Sequence, residues 1–279
     1  MHRIDLSNKD IRVDLINDID CCEVTKSIKN NIMIEEVFLN KKSSKKYNKK
    51  EGLYLSIVFD DITDSIVKDR VVSILSIELK KILERKNLLG QSCLVVGLGN
   101  NYSTPDSLGP KTVKNIITTR HISILNNLDK KYSVVSKIAP GVFADTGIET
   151  YDIVKSLVDR TKPDYLIVID ALSSTILNKV NKVIQITDSG IDPGSGVGNQ
   201  RKELSKKTLG VDVIAIGAPT VVNLHTIIKD TLDEYDLEKI LENKTNNYMV
   251  TPKEIDFLIE QLSTTISKAI NNVLHNLTK

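Results

Sequence analysis

The run Tyr165-Leu166-Ile167-Val168-Ile169-Asp170 decides the fold. Apolar residues that continue without alternation suit a strand buried on both faces of a parallel sheet. The carboxylate that closes the run, Asp170, is expected at the strand's C-terminal end, where open α/β sheets place their ligand crevices. A second run of this kind, Ser92 to Gly99 (SCLVVGLG), leads through Asn100 and a short Ser-Thr-Pro stretch to Asp106. Two such strands in one sheet bring both acids to one edge. Neighbouring carboxylates can share a proton and divide acid and base work between them.

Outward from these strands the pattern alternates. Leu53 to Phe59 reads as a strand, and an amphipathic helix follows from about Ile66 to Glu84, with Ile66, Val67, Val71, Ile74, Leu75, Leu79 and Ile82 on or near one face. After residue 92 come a helix near 108–120, a strand at 133–139, a helix near 148–160 and the strand 165–170. Strands at 181–187 and 211–219, a helix from Thr220, a loop at 243–251 and a last helix over about 252–277 complete the chain. Strands separated by helical runs of this length predict an α/β fold with a central, mostly parallel or mixed sheet flanked by helices. Residues 1–50 are more polar and end in KKSSKKYNKK (Lys41 to Lys50), which reads as a solvated lysine-rich loop, with a docking patch for an acidic partner as the sharper alternative. A single domain is expected over 51–279.

Bulk composition narrows the function classes. The chain has 279 residues, 41% hydrophobic and 27% charged, which predicts a globular protein with a real core. Trp is absent and aromatics make up 4%, so the core must lean on Ile, Leu and Val. A net charge of +2 gives no reason to invoke nucleic acid. No apolar stretch approaches the roughly 20 residues that span a bilayer. The N-terminus, MHRIDLSNKDIRVDL, carries charges throughout and is not a secretory signal. Cys21, Cys22 and Cys93 form no disulfide framework and fit a reducing cytosol.

The familiar catalytic motifs fail one by one. GLGNNY opens like a dinucleotide fingerprint, but its third glycine position holds Tyr102. The glycines then serve a tight turn off the strand, after which the Asn100 side chain can donate into the crevice, or they only end the strand. DPGSGVGNQRKEL (Asp192 to Leu204) lacks the Gly-Lys-Ser/Thr ending of a phosphate loop. Its Gly194, Gly196 and Gly198 can expose backbone N–H groups to a substrate backbone or an anion, with Arg201 beside them, although the stretch equally fits a surface loop. G-x-S-x-G, H-E-x-x-H and C-x-x-C are absent, so no hydrolase elbow or common zinc site is supported. His121 is read at the end of a helix, and His225 is the one histidine near the crevice, with packing or surface roles favoured for it. Asp106 and Asp170 each have a duller reading as helix caps or turn residues. Asp188, Asp145 and Glu149 are reserve acids.

Several stretches together resemble the germination protease family of spore-forming bacteria: VVGLGN (Val95 to Asn100), TPDSLGPK (Thr104 to Lys111), APGVFADTGIET (Ala139 to Thr150), PDYLIVIDALSS (Pro163 to Ser174) and the long block from Gln185 to Val222. A weaker echo is IRVDL (Ile11 to Leu15). The resemblance implies an endopeptidase that degrades small acid-soluble spore proteins during germination in the cytoplasm of the spore core. It further implies synthesis as a zymogen with a short N-terminal propeptide, assembly as a homotetramer, and a fold similar to the hydrogenase-maturation endopeptidases. The family positions of its two acids match Asp106 and Asp170, in an aspartic-type mechanism with no required metal or cofactor. Asn100 and the N–H groups of the 194–199 loop are then the expected oxyanion donors, and no membrane or direct nucleic-acid partner is expected. The chain departs from the family pattern at Asp145, where an amide is usual, at Asn223, where Asp is usual, and at Ser174 or Thr175, where a basic residue is usual. The alternatives are a hydrogenase-maturation-type peptidase, against which the DSGIDPGSGVGNQRKEL block argues, or an inactive relative that only binds spore proteins.

Overall fold

The computed structural model describes residues 22–129, 131–194, 201–231 and 248–277. The expected leader, including Ile11 to Leu15, lies outside them, as do Cys21, Gly196 and Gly198. The described chain begins with a hairpin of β1 (Cys22–Lys29) and β2 (Ile32–Leu39). Asn30 and Asn31 turn it at φ of 51° and 63°, a left-handed geometry that asparagine tolerates and that matches strand twist. These strands were not foreseen in the polar N-terminal stretch.

The lysine run is also different from expectation. It forms a helix, α1 (Lys41–Tyr47), not a loop. The Asn40 side chain caps it by accepting from the Lys42 and Ser43 N–H groups, and Lys45 and Lys46 lie in the last turn, where cations suit the helix dipole. Tyr47 anchors it against Val37, Leu39 and Tyr54.

Next come β3 (Gly52–Val58) and α2 (Ser65–Arg85), whose N-cap Asp64 accepts from Ile66 N at 2.7 Å. Then follow β4 (Cys93–Gly97), a 3₁₀ turn at Thr104–Asp106, α3 (Leu108–Lys114) and α4 (Arg120–Ile124). The single helix expected near 108–120 is thus two, and His121 falls in the last turn of the five-residue α4. The chain continues through β5 (Val135–Ile138), α5 (Phe143–Thr146), α6 (Thr150–Thr161) and β6 (Tyr165–Ser174). After them come β7 (Val183–Thr187), α7 (Lys206–Leu209), β8 (Asp212–Asn223), α8 (Leu224–Thr231), β9 (Met249–Val250) and α9 (Ile255–Leu274). The helix expected from Thr220 begins only at Leu224, because β8 runs on to pair with β9.

Among the described residues the sheet has nine strands in the order β1-β2-β3-β7-β8-β6-β4-β5, with β9 beside β8. β5, β4, β6 and β8 are parallel, and the rest is antiparallel, so the fold is α/β with a mixed sheet. Alternation along β6 sends Tyr165, Ile167 and Ile169 to one face, in a core shared with α2, α3 and α9. Leu166 and Val168 go to the other face, beneath α6 and the chain around Ile191, Leu204 and Leu209. Both faces are therefore dry, as the uninterrupted apolar run requires. Cys93 is buried in the first core, and that burial pushes its thiol up to about 12.

One contact fixes how α3 meets the sheet. A Cβ at Gly109 would lie 2.2 Å from the Leu98 carbonyl oxygen and 2.7 Å from that of Ile169. Only glycine lets the helix start touch the backbones of β4 and β6 this closely. We expect Gly109→Ala to lower stability by about 1–3 kcal/mol through overpacking, read as an earlier urea midpoint. An unchanged midpoint would mean that α3 can shift off the strands without cost.

Candidate active site

β4 stops pairing with β6 at Gly97 and Ile169, and the last bond between them runs from Leu98 N to Ile169 O, at 2.8 Å. β6 itself continues five residues further, paired with β8 through Asp170, Ala171, Leu172, Ser173 and Ser174. Asp170 is thus inside a longer strand and not at its end, contrary to the sequence reading. It is nevertheless the first residue of β6 beyond its β4 partner, so it still stands at the mouth of the crevice that β4 opens. No helix follows it to be capped. It is buried and lies opposite Gly217 of β8.

Asp106 reaches the same place from β4. The backbone turns at Gly99, whose φ is 114° and where a Cβ would lie 2.0 Å from the Asp106 carbonyl oxygen. A left-handed residue without a side chain is required there. The Asn100 N–H then donates to Asp106 Oδ2 at 2.9 Å and to its carbonyl at 3.1 Å. Asp106 does not cap α3: the N-cap position is Ser107, with no side-chain bond to the helix. The Asn100 side chain accepts from Tyr102 N at 2.9 Å, so its evident contribution is a backbone donor that holds Asp106. The sequence signal for this was the Gly99-Asn100 step, read there only as a side-chain donor.

The two carboxylates feel each other. Burial pushes the Asp106 carboxyl up from 3.8 to about 6, the negative charge of Asp170 adds to that, and the Asn100 N–H opposes it. A carboxyl raised by burial and by a neighbouring acid makes Asp106, with Asp170, the candidate for acid–base work at this edge of the sheet.

The other candidates separate into two groups. Asp188 leaves the site: β7 runs antiparallel to β8, so its C-terminal end points to the opposite edge of the sheet. There Asp188 accepts from Leu53 N at 2.8 Å and pairs with Lys86 at 3.2 Å, which is a structural task. Asp145 and Glu149 follow β5, whose C-terminal end lies on the same edge of the sheet as those of β4 and β6, and Arg201 joins them through Glu149. Arg201 pairs with Glu149 at 2.7 Å and lies over the Phe143 ring at 5.1 Å. Asp145 is exposed on α5, with its carboxylate close to Gly141. Gly194 ends the described part of its loop. The side chain of His225, in the first turn of α8, lies outside the described residues. Asn223 pairs with Met249 at the end of β8. Among the described residues, no three His, Cys, Asp or Glu side chains are grouped to hold a metal ion, and no helix is long and apolar enough to cross a membrane.

Because Asp106 binds its proton more tightly when folded, the stability it contributes is present below the ordinary carboxylate range and is lost as pH rises through about 6. Asp106→Asn keeps an acceptor for Asn100 and removes the charge. Its unfolding free energy should exceed that of wild type at about pH 8 by on the order of 1–2 kcal/mol after allowing for partial exposure, and match it near pH 4, read from urea titrations at each pH. A wild type that is the more stable at alkaline pH would contradict a half-buried carboxyl raised by its neighbour.

The model of the germination protease family matches residues 3–239. The germination protease of Bacillus licheniformis is 38% identical, over 88% of this chain and 84% of the relative. That of Bacillus subtilis is 38% identical, over 88% and 83%. A solved [NiFe] hydrogenase maturation protease, HycI from Thermococcus kodakarensis, aligns with 65% of this chain and 94% of its own at 17% identity, with a TM-score of 0.34. By the extent of the family match and the identity to its members, this chain belongs to the germination protease family and is a peptidase.

Proposed function

We propose that this peptidase is an endopeptidase that begins the breakdown of small acid-soluble spore proteins in the spore core during germination, with Asp106 and Asp170 as its acid–base pair. The observation that carries the reading is the half-buried Asp106 carboxyl, raised to about 6 by burial and by the charge of Asp170. Two like charges this close do not both ionise cheaply, so the pair holds one proton over a range of pH. The ionised partner takes a proton from water as the water oxygen attacks the scissile carbonyl carbon. The protonated partner gives its proton to the amide nitrogen as the C–N bond breaks. The Asn100 N–H on Asp106 supports this by fixing the carboxylate's direction. The N–H groups of the 194–199 stretch are the proposed oxyanion donors.

The family membership supports the remaining elements of the reading: synthesis as a zymogen, activation by removal of an N-terminal propeptide, and a homotetramer. Spore proteins that are unfolded off DNA suit a crevice that needs an extended backbone.

Asp106→Asn and Asp170→Asn, each folded by circular dichroism, should cut a purified small acid-soluble spore protein at least ~10³-fold more slowly than wild type. Near-normal turnover in either removes that residue from the pair. The kcat/KM profile should be bell-shaped, with activity falling as pH rises past about 6, the value for Asp106. A profile flat from about pH 5 to 8 counts against shared acid–base work.

A further inference from the structure

The last lysine of the run, Lys50, does something other than face solvent. Its ammonium bonds Asp192 at 2.7 Å and Glu203 at 2.7 Å. These acids stand on the two limbs that flank residues 195–200, and the limbs are further joined by mutual backbone bonds between Ile191 and Leu204, both 2.9 Å. Lys50 is itself held: its carbonyl accepts from the Tyr54 hydroxyl at 2.9 Å, and Ser189 Oγ donates to that hydroxyl at 3.0 Å. Ser205 Oγ fixes the second oxygen of Glu203 at 2.9 Å. Two residues before Glu203, Arg201 reaches Glu149 and the Phe143 ring, and Lys202 lies 3.6 Å from the Tyr151 ring centre. One limb thus connects Lys50, beside β3, to the loop on the crevice edge.

We propose that Lys50 is a positioning residue for peptide cleavage: by bridging Asp192 and Glu203 it sets where Arg201 stands beside the crevice, and so how well substrate is held. An ordinary surface ion pair is worth little. This one differs because its removal leaves two carboxylates, bound to one ammonium before, facing each other as neighbours of like charge. Burial works against the charge on Lys50, but the bonds to Asp192 and Glu203 outweigh it and hold the ammonium above its ordinary value. Glu203 is held below the ordinary carboxylate value, chiefly by the same bond. The limb should splay when the cation is removed, displacing Arg201 without moving β4 or β6.

The inference rests on the crevice edge proposed above. The test uses the processed enzyme, with both Asp106 and Asp170 intact in every variant, so a failure of the acid pair reading would leave the Lys50 comparison readable. Lys50→Met should raise KM for a purified spore protein about 10-fold with kcat within about twofold. Lys50→Arg, which can also bridge two carboxylates, should bring KM back to within about threefold of wild type. Lys50→Met and Arg201→Met together should cost less than the product of their separate effects, because the two act through one limb. An unchanged KM in Lys50→Met, a loss confined to kcat, or independent effects of Lys50 and Arg201 would each overturn the proposal. If Lys50→Met does not fold, Asp192→Asn, which keeps the Glu203 pair, must show the same KM-specific direction for the proposal to stand.

Discussion

Everything at the crevice depends on one near-contact of backbones. Gly97, on β4, and Gly109, at the start of α3, approach so closely that a Cβ on either would meet main-chain atoms of the other segment. This brings the helix down onto the strand ends. The intervening segment must then fold back tightly, through Gly99 and the 3₁₀ turn, and that return delivers Asp106 to the mouth where β6 outlasts β4. A methyl group in the wrong place would lift α3 and withdraw one carboxylate from the other. The placement of Asp106 is consequently a product of close packing between main chains.

Much of this could be read in advance because the physics is local. An unbroken run such as Leu166 to Ile169 has no face for water, so a doubly covered strand follows from composition alone. The spacing of Val71, Ile74, Leu75, Leu79 and Ile82 likewise fixes α2 without tertiary knowledge. That Asp106 and Asp170 come to one edge of the sheet was legible in outline, since parallel neighbours share an edge. Where the reading failed, the deciding information was not local. Ala171 to Ser174 carry no strand signal, and they extend β6 only because β8 continues beside them. Asp188 follows a convincing strand, but the direction of β7 relative to β8, which no residue in β7 announces, sends it to the other edge.

The polar N-terminal stretch illustrates a related limit. β1 is an edge strand with much of its surface in water, and its alternating polar residues hide it in a composition typical of loops. Lys41 to Lys50 looked like solvated charge and proved to combine a capped helix with a cation that ties two limbs of a distant loop. Charge count alone does not distinguish a lysine facing water from one between two acids; only the partners do. The stretches that carried the family resemblance lie between residue 92 and about 228 and said little about this part, where the sheet gains its antiparallel half.

The strand order has a consequence for how the chain comes to its final form as it leaves the ribosome. β1, β2 and β3 are consecutive and can zip together early, yet the far margin of β3 is completed by β7, which emerges only after the segments that build the crevice. Until then a mostly apolar strand has an open row of amides and carbonyls. Such an unclosed border is a natural place for misassociation between growing chains, and the lysine-bearing helix that lies between β2 and β3 puts like charges next to it during that wait.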